Sequence, residues 1–260
     1  MALGLRGTCA FLLALAAGNV LSASIGVSQT EFRQTYWLAP NGRVVIQNLY
    51  GDVSITGWDR DEVRVEAIKR SEDPRRLDDA TIVVDSTAGL VSIHTLYAGA
   101  DAGRPAQVEF RITVPRGANL ENVKLVNGGL SISGVTGPVK ASSINGSIKA
   151  ENLESQADLS TINGQLEAGF NRISRQNAIS LSSVNGPIRI SIPPGSGACV
   201  TARNLSGGID SEFGRVFRAP GGHHLQTVVH GGGASIHLHN VNGGISIHAA
   251  WGRRSLHPVS

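Results

Sequence analysis

The chain has 260 residues, of which 41% are hydrophobic, 17% charged and 5% aromatic, with 32 glycines and a formal charge of +3. So small a charge, with no basic run interleaved with aromatics, argues against a nucleic-acid partner. Glycine at about 12%, against a usual ~7%, favours many turns and short strands over long helices.

Arg6 precedes an apolar run from Cys9 to Ala17, and Leu21-Ser22-Ala23-Ser24 supplies small residues for cleavage. This reads as a secretory signal peptide over residues 1–24, with the mature chain beginning near Ser24–Gly26 and exported to the periplasm, cell surface or exterior. No later stretch reaches the ~18 apolar residues of a membrane span. Cleavage leaves Cys199 as the one cysteine of the mature chain, which reads as a structural thiol with no disulfide partner.

Residues 28–115 read as an irregular N-terminal β region. Alternating apolar positions predict strands at Glu31–Trp37, Arg43–Asn48, Asp52–Thr56, Val63–Lys69, Thr81–Asp85, Leu90–Leu96 and Gln107–Val114. The segment Asp59–Asp79 carries six basic and eight acidic residues, as expected of a solvated face. Within it, Asp73-Pro74 can cap and start one short helix reaching Asp79.

Residues 116–250 are dominated by a repeat, and 251–260 read as a tail. Five consecutive units of about nine residues run from Gly128 to Phe170: GGLSISGVT, GPVKASSIN, GSIKAENLE, SQADLSTIN and GQLEAGFN. Each gives one short strand with apolar third and fifth places, and such strands bury their apolar face only by stacking. The predicted fold class is therefore all-β, a β-solenoid-like stack with two strands per rung and 18–22 residues per rung. An antiparallel β-sandwich of hairpins is the alternative.

The outward fourth places support the two-strand rung. At every second strand they read Lys149, Glu167, Arg189 and Asp210, a column of alternating sign, while Lys140 pairs with Asp158 in the other column. Stacked strands ~4.8 Å apart make such charges neighbours. Asn127, Asn145, Asn163, Asn185 and Asn242 each precede a glycine. Asn-Gly suits a tight corner, and stacked corners can carry a ladder of side-chain amides. The sequons at Asn145 and Asn204 read as by-products of this corner pattern.

Seven of the eight histidines lie between His223 and His257. His237 and His239 share one face of a strand and His248 follows in the next, so these three are the metal candidates. Exposed polar positions on a sheet are the simpler reading, and no metal or cofactor is expected. The pairs Ser142-Ser143, Ser160-Thr161 and Ser182-Ser183 recur in successive coils and form the candidate binding surface. No nucleophile elbow, metalloprotease, P-loop or dinucleotide motif is present, so no catalytic residue is assigned.

Three segments carry a family resemblance: YGDVSITGWDRDEVRVEAIKR (Tyr50–Arg70), FRITVPRGANLENVKLVNGGLSISGVTGPVKASSINGSIKAENL (Phe110–Leu153) and GGGASIHLHNVNGGISI (Gly231–Ile247). Their order of G-x-V-x-I-x-G, V-P-x-G-x-x-L and repeated N-G-x-[IL]-x-[AI] resembles the bacterial putative-adhesin family of β-strand-repeat proteins, over roughly Phe32 to Ile247. The resemblance implies an exported, all-β, solenoid-like domain and brings no catalytic or ligand residues. The expected function is a non-enzymatic module that presents a repetitive polar face to an envelope or extracellular polymer or protein partner. The alternatives are a periplasmic envelope scaffold or stress-response accessory and, third, an enzyme on envelope polysaccharide.

Overall fold

The computed structural model describes residues 28–98, 105–219 and 221–250; the predicted signal peptide and the 251–260 tail lie outside them. The N-terminal segment forms β1 (Ser28–Trp37), β2 (Arg43–Tyr50), β3 (Val53–Trp58), β4 (Glu62–Ser71), β5 (Ala80–Thr87), β6 (Leu90–Tyr97) and β7 (Gln107–Pro115). The repeats form β8 (Asn119–Asn127), β9 (Leu130–Ser133), β10 (Val139–Asn145), β11 (Ile148–Leu153), β12 (Ala157–Asn163), β13 (Leu166–Phe170), β14 (Ala178–Asn185) and β15 (Ile188–Ile192). The chain continues through β16 (Ala198–Ser206), β17 (Ile209–Ser211), β18 (Phe217–Ala219), β19 (Gly222–Val229), β20 (Ala234–Asn242) and β21 (Ile245–Ala249). Asp73 caps a short 3₁₀ turn, Pro74–Leu77, by accepting from the Arg75 amide.

These strands make two sheets. Sheet I has the order β1-β4-β7-β3-β9-β11-β13-β15-β21-β17, and sheet II the order β18-β19-β16-β20-β14-β12-β10-β8-β2-β6-β5. The two strands on either side of each Asn-Gly lie in different sheets, so those corners turn the chain from sheet II into sheet I and are not hairpins. Neighbouring rungs pair in parallel: Val139 faces Ala157, 18 residues on, and Ala157 faces Ile179, 22 residues on. Antiparallel pairing is confined to the ends, at β1-β4-β7, β5-β6 and β16-β19-β18. One core of inward aliphatic side chains from both sheets runs from Leu38 to Ile247, crossing Pro115 without a break.

The corners explain why the repeat is written as it is. Asn145 donates to Asn127 at 3.0 Å, Asn163 to Asn145 at 2.8 Å, Asn185 to Asn163 at 2.9 Å and Asn242 to Asn185 at 2.9 Å. From Asn145 onward, each amide in this ladder uses its N–H to bond the oxygen of the rung before it in the stack. The glycine after each Asn is held by steric exclusion. A Cβ on Gly146 would lie 1.9 Å from the Gly128 carbonyl oxygen, and one on Gly164 2.4 Å from that of Gly146. Both sequons belong to this system: Asn145 is a ladder member, and Asn204 is buried and donates to the Gly243 and Gly208 carbonyls at 2.6 and 3.0 Å.

At both ends, rung order departs from chain order. The pair β2–β3 sits between β6–β7 and β8–β9, and the pair β20–β21 sits between β14–β15 and β16–β17. This corrects one expectation. Lys149, Glu167 and Arg189 are cross-strand neighbours, but Arg189 then faces Ser246, and Asp210 lies one strand further on. The physical reason is that β21 matches the Asn-Gly register of β15, Asn242 capping Asn185, better than the Ser-Gly corner before β17 does.

Within the column, Lys149 ion-pairs with Glu151 on its own strand at 3.0 Å, which with the nearby Glu167 carboxylate raises its ammonium above the usual lysine range. Lys140 and Asp158 pair across strands at 3.4 Å. Glu167→Lys is expected to place three cations in register and lower Tm relative to Glu167→Gln at low ionic strength. The difference should shrink at high salt, because exposed charges are screened. Equal Tm values for the two variants in dilute buffer would refute the coupling.

Candidate functional site

Because successive residues of a strand face opposite ways, the outer surface of sheet II is organised as rows that run across the rungs. Counting back from the corner, the first outward row is Leu96, Leu49, Val126, Ile144, Ile162, Val184, Val241 and Leu205. It follows from the cross-strand pairs on either side, such as Ser143 with Thr161 and Asn145 with Asn163. The second row is His94, Gln47, Lys124, Ser142, Ser160, Ser182, His239, Arg203 and His224. The third includes Lys140, Asp158, Ser180, His237 and Thr201.

The predicted serine and threonine pairs are split by this geometry. Ser142, Ser160 and Ser182 line the second row and are half-buried on the outer face. Ser143, Thr161 and Ser183 point inward and are buried. Ser143 and Thr161 donate to the Gly128 and Gly146 carbonyls at 3.5 and 3.0 Å, bracing the corners from inside. Asn48, Asn240 and Asn204 do the same from equivalent places. The inward three are structural, so the candidate surface keeps one hydroxyl per coil. The alternation rule applied within each pair already separates them.

The histidines do not converge. His237 and His239 are exposed on β20, on the outer face of sheet II, and His237 Nε2 lies 2.9 Å from Ser235 Oγ. His248 is on β21 in the other sheet and pairs with Glu212 at 3.3 Å. Among the described residues no group of three metal-binding side chains comes together, so the combined site of His237, His239 and His248 is corrected. Glu212 acts as a clip. It accepts from the Ala249 amide at 2.8 Å, and this bond first, with His248 second, holds its carboxyl below the usual carboxylate range. A lowered carboxylate pKa contributes stability above the unfolded value and loses it as pH falls through the folded one. The protection factor of the Ala249 amide, its exchange rate relative to the intrinsic rate at each pH, should therefore fall on acidification in the wild type and stay flat in Glu212→Gln; parallel profiles would count against the clip.

Cys199 is exposed on β16, not packed as the structural thiol the sequence suggests. The cavities are surface grooves. One of about 450 Å³ is lined by Lys140, Asp158, Ser180 and His237, and one of about 510 Å³ by Arg203, His224, His237 and His239. Four carboxylates on or beside the outer faces are engaged by cations: Glu66 with Arg33, Glu109 with Arg70, Glu121 with Arg43 and Asp158 with Lys140. Among the described residues no helix is long and apolar enough to cross a membrane.

No family model matches the chain, and no curated protein matches it in sequence. Solved structures do match in fold. A putative cell adhesion protein from Clostridium sporogenes superposes with a TM-score of 0.51 at 13% identity, covering 85% of this chain and 100% of that one. A putative adhesin from Parabacteroides merdae gives a TM-score of 0.38 at 10% identity over 86% and 96% of the two chains. One from Bacteroides fragilis gives 0.38 at 11% over 85% and 98%. The resemblance read from the glycine-centred motifs is thus met at the level of fold: this chain shares the stacked two-sheet β architecture of the putative cell adhesion protein from Clostridium sporogenes.

Proposed function

We propose that the chain is an exported, non-enzymatic binding module of adhesin type, whose outer sheet II face engages an anionic envelope or extracellular polymer through many weak contacts. The observation that carries this reading is the second row, where Ser142, Ser160 and Ser182 stand in strict cross-strand register between Lys124 at one end and His239 and Arg203 at the other. A ligand that repeats along its length can meet one such group per rung, and contacts too weak singly add through multivalency. The open grooves, and the cations paired with the groove carboxylates Glu66, Glu109 and Asp158, support capture over acid–base turnover. The description of the Clostridium sporogenes structure as a putative cell adhesion protein supports the same role, and Arg6 with the run Cys9–Ala17 supports export.

The test is retention on immobilised acidic polysaccharide. Replacing Ser142, Ser160 and Ser182 together with alanine should weaken retention about tenfold or more, at roughly 0.5–1.5 kcal/mol per lost hydrogen bond, with Tm unchanged. Thr161→Val should lower Tm and leave retention intact. Steady cleavage of the polymer, or unchanged retention by the triple variant, would overturn the reading.

A further inference from the structure

We infer that the first row of sheet II is a lipid-docking stripe that lays this face on an anionic membrane surface. The inference goes beyond the polymer reading, because the stripe is a separate row with different chemistry.

The row is aliphatic at all eight rungs from Leu96 to Leu205, and at ~4.8 Å per strand it runs about 34 Å. It is open to solvent. Leu96 is 55% exposed, Leu49 40%, Ile144 42%, Ile162 44%, Val184 39% and Leu205 59%, while Val126 and Val241 are half-buried. Strand propensity does not require this, since threonine fills a β position as well as valine. The adjacent outward row on the same strands is polar. A continuous exposed apolar strip with a polar rim marks an interaction surface.

The flanks say what covers it. On one side stands the neutral Asn ladder. On the other stands the second row, which holds Lys124, Arg203, His94, His239 and His224 and no carboxylate. The nearest carboxylates on this face stand in the third row or beyond: Glu121 and Asp158 are engaged by Arg43 and Lys140, and Asp85 lies at the sheet edge on β5, with seven strands between it and the β16 of Arg203. At the Leu205 end, a groove of about 390 Å³ is lined by Leu205 and Val241 together with Arg203, His223, His224 and His239, so apolar and cationic groups share one wall. Aliphatic side chains beside cations match the boundary between acyl chains and anionic headgroups. One side chain wide, the stripe is far narrower than the about 800 Å² per partner that a stable protein interface buries, which disfavours a second copy.

The experiment is co-sedimentation of the purified chain with vesicles of phosphatidylcholine alone and of phosphatidylcholine mixed with phosphatidylglycerol. The wild type should partition onto the mixed vesicles and weaken with salt. Ile144→Thr, Ile162→Thr and Val184→Thr combined keep branching at Cβ, should hold Tm, and should lose at least tenfold of the vesicle binding. Arg203→Gln should reduce the preference for anionic vesicles. Ser160→Leu widens the stripe into the second row, so it should tighten vesicle binding while weakening polymer retention, which separates the two proposals and tests this one should the triple variant fail to fold. Absence of co-sedimentation, vesicle binding indifferent to the stripe variants, or a concentration-dependent dimer that the threonine variants dissolve would each overturn it.

Discussion

Truncation after Gly232 is expected to unfold not one rung but everything beyond β15. In a stack built in chain order, loss of the final rung costs that rung and little else, since each repeat touches only its neighbours. Here β20 is bonded to β14 on one side and β16 on the other, and β21 lies between β15 and β17. Removing them strips Ile236, Leu238, Ile245 and Ile247 from the core, each at most 2% exposed. At roughly 1.5–3 kcal/mol per buried aliphatic side chain, that loss rivals the whole stability of an ordinary domain, about 5–15 kcal/mol. The strands β16–β19 then have no sheet to join. Limited proteolysis should clip the truncated chain throughout 198–229 and leave a resistant fragment ending near Ile192. Retained protection of β16 and β19 would show that these strands hold without the inserted rung.

The second large effect is expected at a corner. Gly146→Ala adds a methyl 1.9 Å from the Gly128 backbone oxygen, and a backbone atom inside a stacked corner has nowhere to go. The cost should be about 3 kcal/mol, by analogy with overpacking, or roughly 6–12 °C in Tm for a domain of this size. Gly169→Ala is the control. That glycine lies in β13, where an added Cβ would meet nothing within 4 Å, so the change should be neutral or stabilising by under about 1 kcal/mol. Similar Tm losses in the two variants would attribute the effect to glycine content and refute the corner argument.

The middle of the molecule is legible in the sequence because its determinants are local and periodic. Asn127, Asn145 and Asn163 recur at the rung length, so stacking follows from spacing alone, and the Lys140–Asp158 pair confirms the two-strand rung. The ends are not legible in the same way. The strands of residues 28–115 can be read from alternation, yet nothing local says that Arg43 of β2 will pair with Asn119 of β8, 76 residues on, with β6 on its other flank. Likewise the Asn-Gly at Asn242 looks like one more corner, and its place beside Asn185 depends on which of two competing rungs completes the ladder. The candidate face is half legible. Hydroxyl repetition marks its strands, but strand parity sends Ser143, Thr161 and Ser183 inward. The same parity leaves Ile144 and Ile162 outside, whereas a register shift between Ala150 and Leu153 breaks the alternation and turns Leu153 inward.

The insertion of β20–β21 also sets the order in which the chain can finish folding. A stack that grows in sequence can zip rung by rung as the chain is made. This one cannot. Once β14 and β15 have formed, their open edges must wait through β16, β17, β18 and β19 for a partner that arrives last, and those four strands wait with them. Such late, long-range closure is slow and leaves pairing-competent edges exposed meanwhile. The pause is also a check on completeness, because a prematurely terminated chain never closes its sheets and stays open to proteases.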